Sequence, residues 1–320
     1  LQVVQVLQHE MMAAANIGRS LAVDGAADLI LKARLTSTQS PDVFWQLSAD
    51  GGTTFDAVTP GADWTAFTVP GSDLVWHSTL TWAAPGGPNV ADVTLEWLNE
   101  FALITSVTDI PNDQGRQVRV EWTRSGHDFI GDPVQIVEYA VYRRIDPDLA
   151  TVNAPEALLA PGNLSERVRE HAVMMQAAGW DFITTVPVRA EDSYAVVAPT
   201  LADSTIANGN HMTTFMVTAL TATPALFFDS PPDSGYSLDN LAPGVPQGLS
   251  AAYAFDGVTL DWMDAPESDF HYYRIYRSTD PDFVPHPSGL IYVTPTSAWT
   301  DPTPSPWEYY YKVTTLDHAG

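Results

Sequence analysis

Apolar and polar residues alternate with a period of two along most of this chain, which predicts half-buried β-strands. Leu29, Leu31, Ala33 and Leu35 alternate with Ile30, Lys32 and Arg34, and Val43, Trp45 and Leu47 repeat the pattern. Leu74, Trp76, Ser78, Leu80 and Trp82 follow on one parity, then Val93, Leu95 and Trp97. Turn sequences punctuate these runs: Asp50-Gly51-Gly52, Pro60-Gly61, Pro70-Gly71 and Pro85-Gly-Gly-Pro88. Short alternating strands between Gly/Pro turns predict a sandwich, each strand burying one face on an opposing sheet. Past residue 103 the strands continue at Val118-Arg-Val-Glu-Trp122 and Val137-Glu-Tyr-Ala-Val-Tyr-Arg143.

One segment breaks the period. Asn163-Leu-Ser-Glu166 reads as a capping box that opens a helix over Arg167–Ala178, with Gly179 as its stop. Strands are expected again at Trp180–Thr184, Ser193–Ala198 and Thr213–Ala219. A Pro/Gly/Ser/Asp-rich stretch, Ser230–Gly248, reads as a last strand running into a short linker. The remainder repeats what came before. Val258-Thr-Leu-Asp-Trp262 matches Val118–Trp122, Tyr272-Tyr-Arg-Ile-Tyr-Arg277 matches Glu138–Arg143, and Tyr309–Thr315 matches Thr213–Ala219.

The repeated strands resemble the fibronectin type III family. Trp122 and Trp262 stand where that family places a buried second-strand tryptophan, and Tyr139-Ala-Val-Tyr-Arg143 and Tyr273-Arg-Ile-Tyr-Arg277 are similar to its third strand. Tyr309, Tyr311, Val313, Asp317 and Gly320 fit its sixth-strand pattern, with Thr315 in place of Ala. The resemblance implies that Tyr309 is a tyrosine corner, its hydroxyl bonded to an upstream backbone group. Thr213 holds that position in the middle segment, the loop after Trp122 is longer, and the last segment stops before a seventh strand, which either lies beyond Gly320 or leaves an edge for another chain to cover. The wider arrangement resembles C-terminal regions of secreted, multidomain bacterial surface proteins, in which phrases such as Asn112–Val118 and Asp233–Pro243 join modules.

Composition narrows the function classes. The chain has 320 residues and 45 % apolar content, enough for two or three domains with cores of their own. It carries 14 Lys plus Arg against 39 Asp plus Glu. Cutting after Phe101 and after Leu238 gives net charges of about −8, −9 and −8, so the acidity is even and reads as a solubility property. This balance argues against nucleic acid, where cations must replace phosphate counterions, and against an anionic membrane surface. With no cysteine, disulfides, zinc ribbons and thiol catalysis are excluded. No apolar run is long enough to span a bilayer. Leu1 at the start and Leu316–Gly320 at the end read as cuts inside a longer polypeptide.

Candidate chemistry is sparse. Ser48-Ala-Asp-Gly-Gly-Thr-Thr-Phe55 resembles the Asp-box turn of sialidase-type propellers, where it is a structural hairpin. Of Trp64, Trp76 and Trp82, the last two share parity with core leucines, which leaves Trp64 as the glycan-stacking candidate. Asp264, Glu267 and Asp269, and Asp280 with Asp282, are calcium candidates by their closely spaced carboxylates, although Asp is also an ordinary turn residue. No His-Glu-x-x-His, Gly-x-Ser-x-Gly or phosphate loop occurs, and no catalytic residue or cofactor is assigned. His171 reads as a structural mid-helix residue.

The expected fold is all-β: tandem antiparallel β-sandwiches of immunoglobulin-like, fibronectin type III type, with one inserted helix in the middle domain. Residues 1–102 form a jelly-roll or carbohydrate-binding-like sandwich. Residues 103–238 form a fibronectin type III-like domain with its insertion at about 147–179, the first place to look for a specialised contact. Residues 239–320 form a fibronectin type III-like domain without its last strand. The expected function is a non-enzymatic structural, spacer or assembly region of an exported cell-surface protein, with protein partners or self-assembly. The alternative is a carbohydrate-binding or adhesive accessory to a secreted hydrolase.

Overall fold

The computed structural model describes residues 16–23, 28–81, 88–146, 164–205, 209–254, 257–267, 270–302 and 308–317. The chain is all-β, built of antiparallel sandwiches with one α-helix among the described residues. It divides into two compact units, Leu1–Thr108 with Val118–Leu201 and Thr213–Gly235, and Asp109–Gln117 with Ala202–Met212 and Tyr236–Gly320.

The first unit holds two sandwiches. The first contains β1 (Asn16–Arg19), β2 (Ile30–Gln39), β3 (Val43–Ser48), β4 (Asp56–Val58), β5 (Thr65–Gly71), β6 (Val75–Leu80) and β7 (Val90–Asn99). Sheet β1-β6-β3-β4 packs on sheet β5-β2-β7 around Leu35, Trp45, Leu47, Leu74, Trp76 and Leu95. Trp45 meets Trp76 edge to face at 5.2 Å, the arrangement their ring quadrupoles favour. Trp76 therefore faces the core, and Trp82 lies outside the described residues.

One parity differs from the alternation read in the sequence. Ile30, Ala33 and Leu35 are buried while Leu29 is exposed. A register shift between Ile30 and Lys32, against both β5 and β7, inserts a residue and flips the strand face at Leu31. Beyond the bulge, Lys32 and Arg34 share the outer face.

The Asp-box-like segment is a closed turn. Ser48 Oγ donates to Asp50 Oδ1 (2.7 Å), which also accepts from the Thr53 and Thr54 amides (3.0 and 2.8 Å). These bonds, the Ser48 one foremost, hold the Asp50 carboxyl down at about 2. Gly51 and Gly52 supply the positive φ angles, 73° and 86°, that the turn requires.

The second sandwich contains β8 (Leu103–Asp109), β9 (Gln117–Thr123), β10 (Ile136–Arg144), α1 (Glu166–Ala177), β11 (Trp180–Pro187), β12 (Ser193–Pro199), β13 (Thr213–Thr221), β14 (Phe227–Asp229) and β15 (Asp233–Gly235). Sheet β12-β9-β8 faces sheet β11-β10-β13, whose far edge is completed by β14 and β15, both paired with β13. This is the strand order of a fibronectin type III sandwich. Trp122, fully buried, sits edge to face with Tyr139 at 5.8 Å and stacks on Tyr194 at 5.9 Å.

The helix is capped by Ser165, whose side chain accepts from the Val168 amide (3.3 Å), two residues after the Asn163 expected from the capping box; Asn163 itself lies outside the described residues. Gly179, at φ +88°, ends it as expected. Val168, His171, Ala172 and Met175 lay one face on Ala140, Tyr142, Phe182, Met216 and Leu220. The described part of the insertion thus covers its own sheet, and β10 and β13 are buried on both faces because of it. His171 Nδ1 pairs with the Tyr142 hydroxyl at 2.6 Å.

In the second unit, β16 (Ser250–Ala254), β17 (Gly257–Asp261), β18 (Phe270–Ser278), β19 (Leu290–Thr294), β20 (Ala298–Asp301) and β21 (Tyr310–Asp317) form sheets β16-β17-β20 and β19-β18-β21. Their core gathers Leu260, Trp262, Tyr273, Ile275 and Val313. Among the described residues β21 pairs with β18 alone. Tyr309, expected to bond an upstream backbone group, lies under the Arg277 guanidinium at 4.5 Å, and the Tyr311 hydroxyl donates to the Asp301 side chain at Oδ2 (2.8 Å). Arg277 also donates to Asp301 (2.6 Å), so one buried carboxylate joins strands of both sheets.

The two tryptophan strands share a feature that explains why the repeat exists. The Tyr139 hydroxyl accepts from the amide of Ser125, and the Tyr273 hydroxyl from the amide of Ala265, each three residues beyond its tryptophan. A strand in one sheet thus fixes the exit of a strand in the other. Tyr139→Phe leaves the buried Ser125 N–H without a partner and should destabilise the protein by about 1–3 kcal/mol, with Tyr273→Phe milder because Ala265 is half-exposed. Urea unfolding followed by tryptophan fluorescence measures both.

His171 gives a pH prediction. Burial lowers its pKa, opposed by the charge of Asp229. The unfolded chain then binds a proton that the folded one resists. This contribution is fully present above about pH 6.5, the unfolded value, and is lost as the pH falls from there through the lower folded one. The urea midpoint should drop between about pH 7.5 and 5.5, and His171→Gln should flatten that slope.

Candidate functional site

The densest meeting of charged and aromatic side chains lies inside the first unit, where the two sandwiches touch. The covalent connection is short: β7 ends at Asn99 and β8 begins at Leu103. The outer face of β2 presents Lys32 and Arg34, and the longer loop after Trp122 supplies the opposing groups.

That loop is rigidly made. Buried Asp128 accepts from the hydroxyls of Tyr139 (2.9 Å) and Tyr194 (2.7 Å) through one oxygen. Burial first, and the Asp128 charge with it, pushes the Tyr194 hydroxyl up to about 12, so it remains a donor. Arg124 Nη1 donates to the carbonyls of Ala190 (2.8 Å) and Asp128 (3.3 Å), and its guanidinium lies 3.6 Å from the Phe129 ring centre. Ser125 Oγ donates to the Glu100 carbonyl, and the Gly126 amide to the Asn99 carbonyl (2.7 Å). Gly126 is required there by space: a Cβ would stand 2.9 Å from the Asn99 oxygen and 3.0 Å from Leu31.

Two polar centres bridge the sandwiches. At the first, Lys32 Nζ reaches Asp132 Oδ2 (2.8 Å) and the Gly126 carbonyl (2.5 Å), 4.2 Å from the Phe129 ring centre, while His127 Nδ1 pairs with Asp132 Oδ1 (3.0 Å). Burial works against the Asp132 charge, but bonds from Lys32, His127 and the Val134 amide win and hold its carboxyl below the usual range. Lys32 and Asp132 side chains are 12 % and 8 % exposed, so salt screens this pair little.

At the second, Asp192, just before β12, takes Trp64 Nε1 (3.0 Å) and Arg124 Nη2 (3.1 Å) on one oxygen and Arg34 Nη1 (2.7 Å) on the other. Arg34 is aimed by Glu96, its cross-strand neighbour on β7, at 2.7 Å. The Trp64 ring centre lies 4.4 Å from the Arg34 guanidinium and 5.9 Å from that of Arg124. Burial disfavours the Asp192 charge, yet the bonds from Trp64 and Arg34 and the nearby Arg124 charge lower its pKa. Its side chain is 49 % exposed, which leaves this centre open to screening.

Trp64, the glycan candidate, therefore has its indole N–H and a ring face engaged at this interface. The calcium candidates are dispersed in local roles. Glu267 Oε1 accepts from the Gly244 amide (3.0 Å), Asp280 Oδ1 from the Asp282 amide (3.0 Å), Asp264 is exposed, and Asp269 lies outside the described residues. Among the described residues, no group of three or more His, Cys, Asp or Glu is arranged to hold a metal ion. In the second unit, the residues from Ser237 bond to the Asn112–Gln117 turn region. Asp109 accepts from the Leu238 amide and Asn240 Nδ2 (both 2.8 Å), and Asp203 from the Arg116 amide (2.5 Å) and Ser237 Oγ (2.6 Å). The two phrases read as joiners also bond directly, the Asp113 amide donating to Asn240 Oδ1 (3.1 Å) and the Asn240 amide to the Asp113 carbonyl (3.3 Å). A shallow groove of about 340 Å³ runs beside them, lined by Asp239, Leu241, Pro243, Thr315 and Asp317.

Sequence reading missed Lys32, Arg34, Arg124, Asp132 and Asp192. The usable signal was scarcity, since three of the chain's 14 basic residues converge here.

No protein-family model matches the sequence, and no curated protein matches it. Among solved structures the chain is similar to the crystal structure of chicken CNTN1 FN1-FN3 domains, at 13 % identity and a TM-score of 0.25, covering 92 % of this chain and 95 % of that one. At that score the likeness carries no argument, and the fold rests on the sheets described above. No described helix is long and apolar enough to cross a membrane.

The close approach at Gly126 gives a direct check. Gly126→Ala must push the loop off Asn99 and Leu31 and should cost about 1–3 kcal/mol. It should also raise proteolytic cleavage between Asn99 and Leu103, read by mass spectrometry of the fragments.

Proposed function

We propose that the chain is a structural, non-catalytic spacer region of an exported cell-surface protein, made of sandwich modules divided near residues 102 and 238. The observation that carries the reading is how the chemistry-bearing side chains are used. Trp64 and Arg34 bond to Asp192, and Lys32 to Asp132, across the joint between the first two sandwiches, with Arg124 holding Asp192 from its own side. They fix one part of the protein against the next, and their polar atoms are engaged in doing so. The even spread of acidic residues along the sequence supports a solvent-facing structural role over nucleic-acid binding.

The rival reading is glycan binding at Trp64. Affinity electrophoresis of the full chain through gels containing soluble polysaccharides separates the two. Mobility should be unchanged by the polysaccharides for both the natural chain and Trp64→Ala. Retardation of the natural chain that Trp64→Ala abolishes would replace the spacer reading with the glycan one.

A further inference from the structure

The two centres of the interface differ in a way that a passive joint does not require. Lys32–Asp132 is buried, and beside it lie the backbone contacts of Gly126 and Ser125 with Asn99 and Glu100. At the second centre Asp192 is 49 % exposed, while its partners Arg34 and Arg124 are 16 % and 5 % exposed. Lys32 and Arg34 stand on one face of β2, roughly 7 Å apart at the rise of an extended strand. The first centre therefore sits beside the covalent connection, and the second lies further along the same strand.

We propose that the first two sandwiches are joined by a salt-operated hinge, with Lys32–Asp132 and Gly126 as its fixed anchor and Asp192 as a latch that ionic strength opens. The proposal rests on the spacer reading and adds to it a control over stiffness. Several observations carry it. Each sandwich has an apolar core of its own. The joint is polar, and polar joints between domains of one chain permit relative motion unless something fixes them. Among the described residues, Asp192 is the carboxylate that holds both Arg34 and Trp64 of the first sandwich. Screening at about 1 M salt acts within ~3 Å, against ~10 Å at 0.1 M, and reaches the exposed centre far more than the buried one. When the latch opens, the anchor and the Glu100–Ala102 connection remain, and the second sandwich swings about them.

The absence of native cysteine makes the test clean. Spin labels go on the full chain at Phe44→Cys on β3 and Val197→Cys on β12, both exposed. Distances between them are measured by pulsed electron resonance at low salt and at about 1 M salt. The expected result is one narrow distribution at low salt that broadens at least twofold at high salt. Asp192→Asn should be broad at both salts, and Arg34→Met, which breaks the latch from the other sandwich, should match it. Near-ultraviolet circular dichroism confirms that each variant keeps its packed cores. A distribution of equal width at both salts, or one that neither variant broadens, overturns the hinge. Neither result bears on the spacer reading, which stands or falls on polysaccharide retardation.

Discussion

A tyrosine hydroxyl that closes the chain just past a buried tryptophan is the constraint on which the first unit depends. Tyr139, on β10, accepts the Ser125 amide and donates to Asp128, and Tyr194, on β12, donates to the same carboxylate. Two strands, one from each sheet, are thereby tied to one loop. That loop then presents Gly126, His127, Phe129 and Asp132 outward to the first sandwich. If it were loose, the Lys32–Asp132 pair would have to order it on forming, and ordering several residues costs more than an ion pair returns. In the second unit Tyr273 makes the matching bond to Ala265.

Charge scarcity shapes the rest. With 39 acids and 14 bases, an acidic side chain meets a cation only where one has been placed. The placed cations do similar work. Arg143, 2 % exposed, donates to Asp181 and to the carbonyls of Pro199 and Thr200, and Arg277 donates to Asp301. Both arginines end the Tyr-x-Val/Ile-Tyr-Arg strand, and both tie β10 or β18 to a neighbouring element. An arginine suits this better than a lysine because its planar fork reaches several acceptors in fixed directions. Lys32 is used where a point charge suffices, one carboxylate and one carbonyl beside an aromatic ring.

Much of the fold was legible because period-two burial and repeated motifs are local properties. The helix stop at Gly179, the buried Trp122 and Trp262 and the two sandwich patterns follow from residues near one another in sequence. What escaped was non-local. The bulge at Ile30–Lys32 depends on how β2 meets both β5 and β7, and it turned Leu29 outward. The helix cap moved to Ser165, where the extended backbone lets its oxygen face the Val168 amide. Tyr311 rather than Tyr309 reaches the buried carboxylate because the bond goes to a side chain on β20, whose reach no motif encodes. Trp64 looked free because its partner, Asp192, is 128 residues away.

The distance in sequence between these partners also explains why a polar joint suits two self-sufficient sandwiches. An apolar patch would add stability but fix the angle poorly, since hydrophobic attraction has no direction. It would also leave each sandwich with an exposed sticky face during synthesis. Hydrogen bonds and ion pairs contribute less free energy but act along defined axes. A carboxylate that receives Trp64, Arg34 and Arg124 from separate directions specifies an orientation that three greasy contacts could not. The weakness of such exposed pairs is then a property rather than a defect, because a joint held at one end by a buried pair and at the other by a screened one keeps its register while its stiffness answers to the medium.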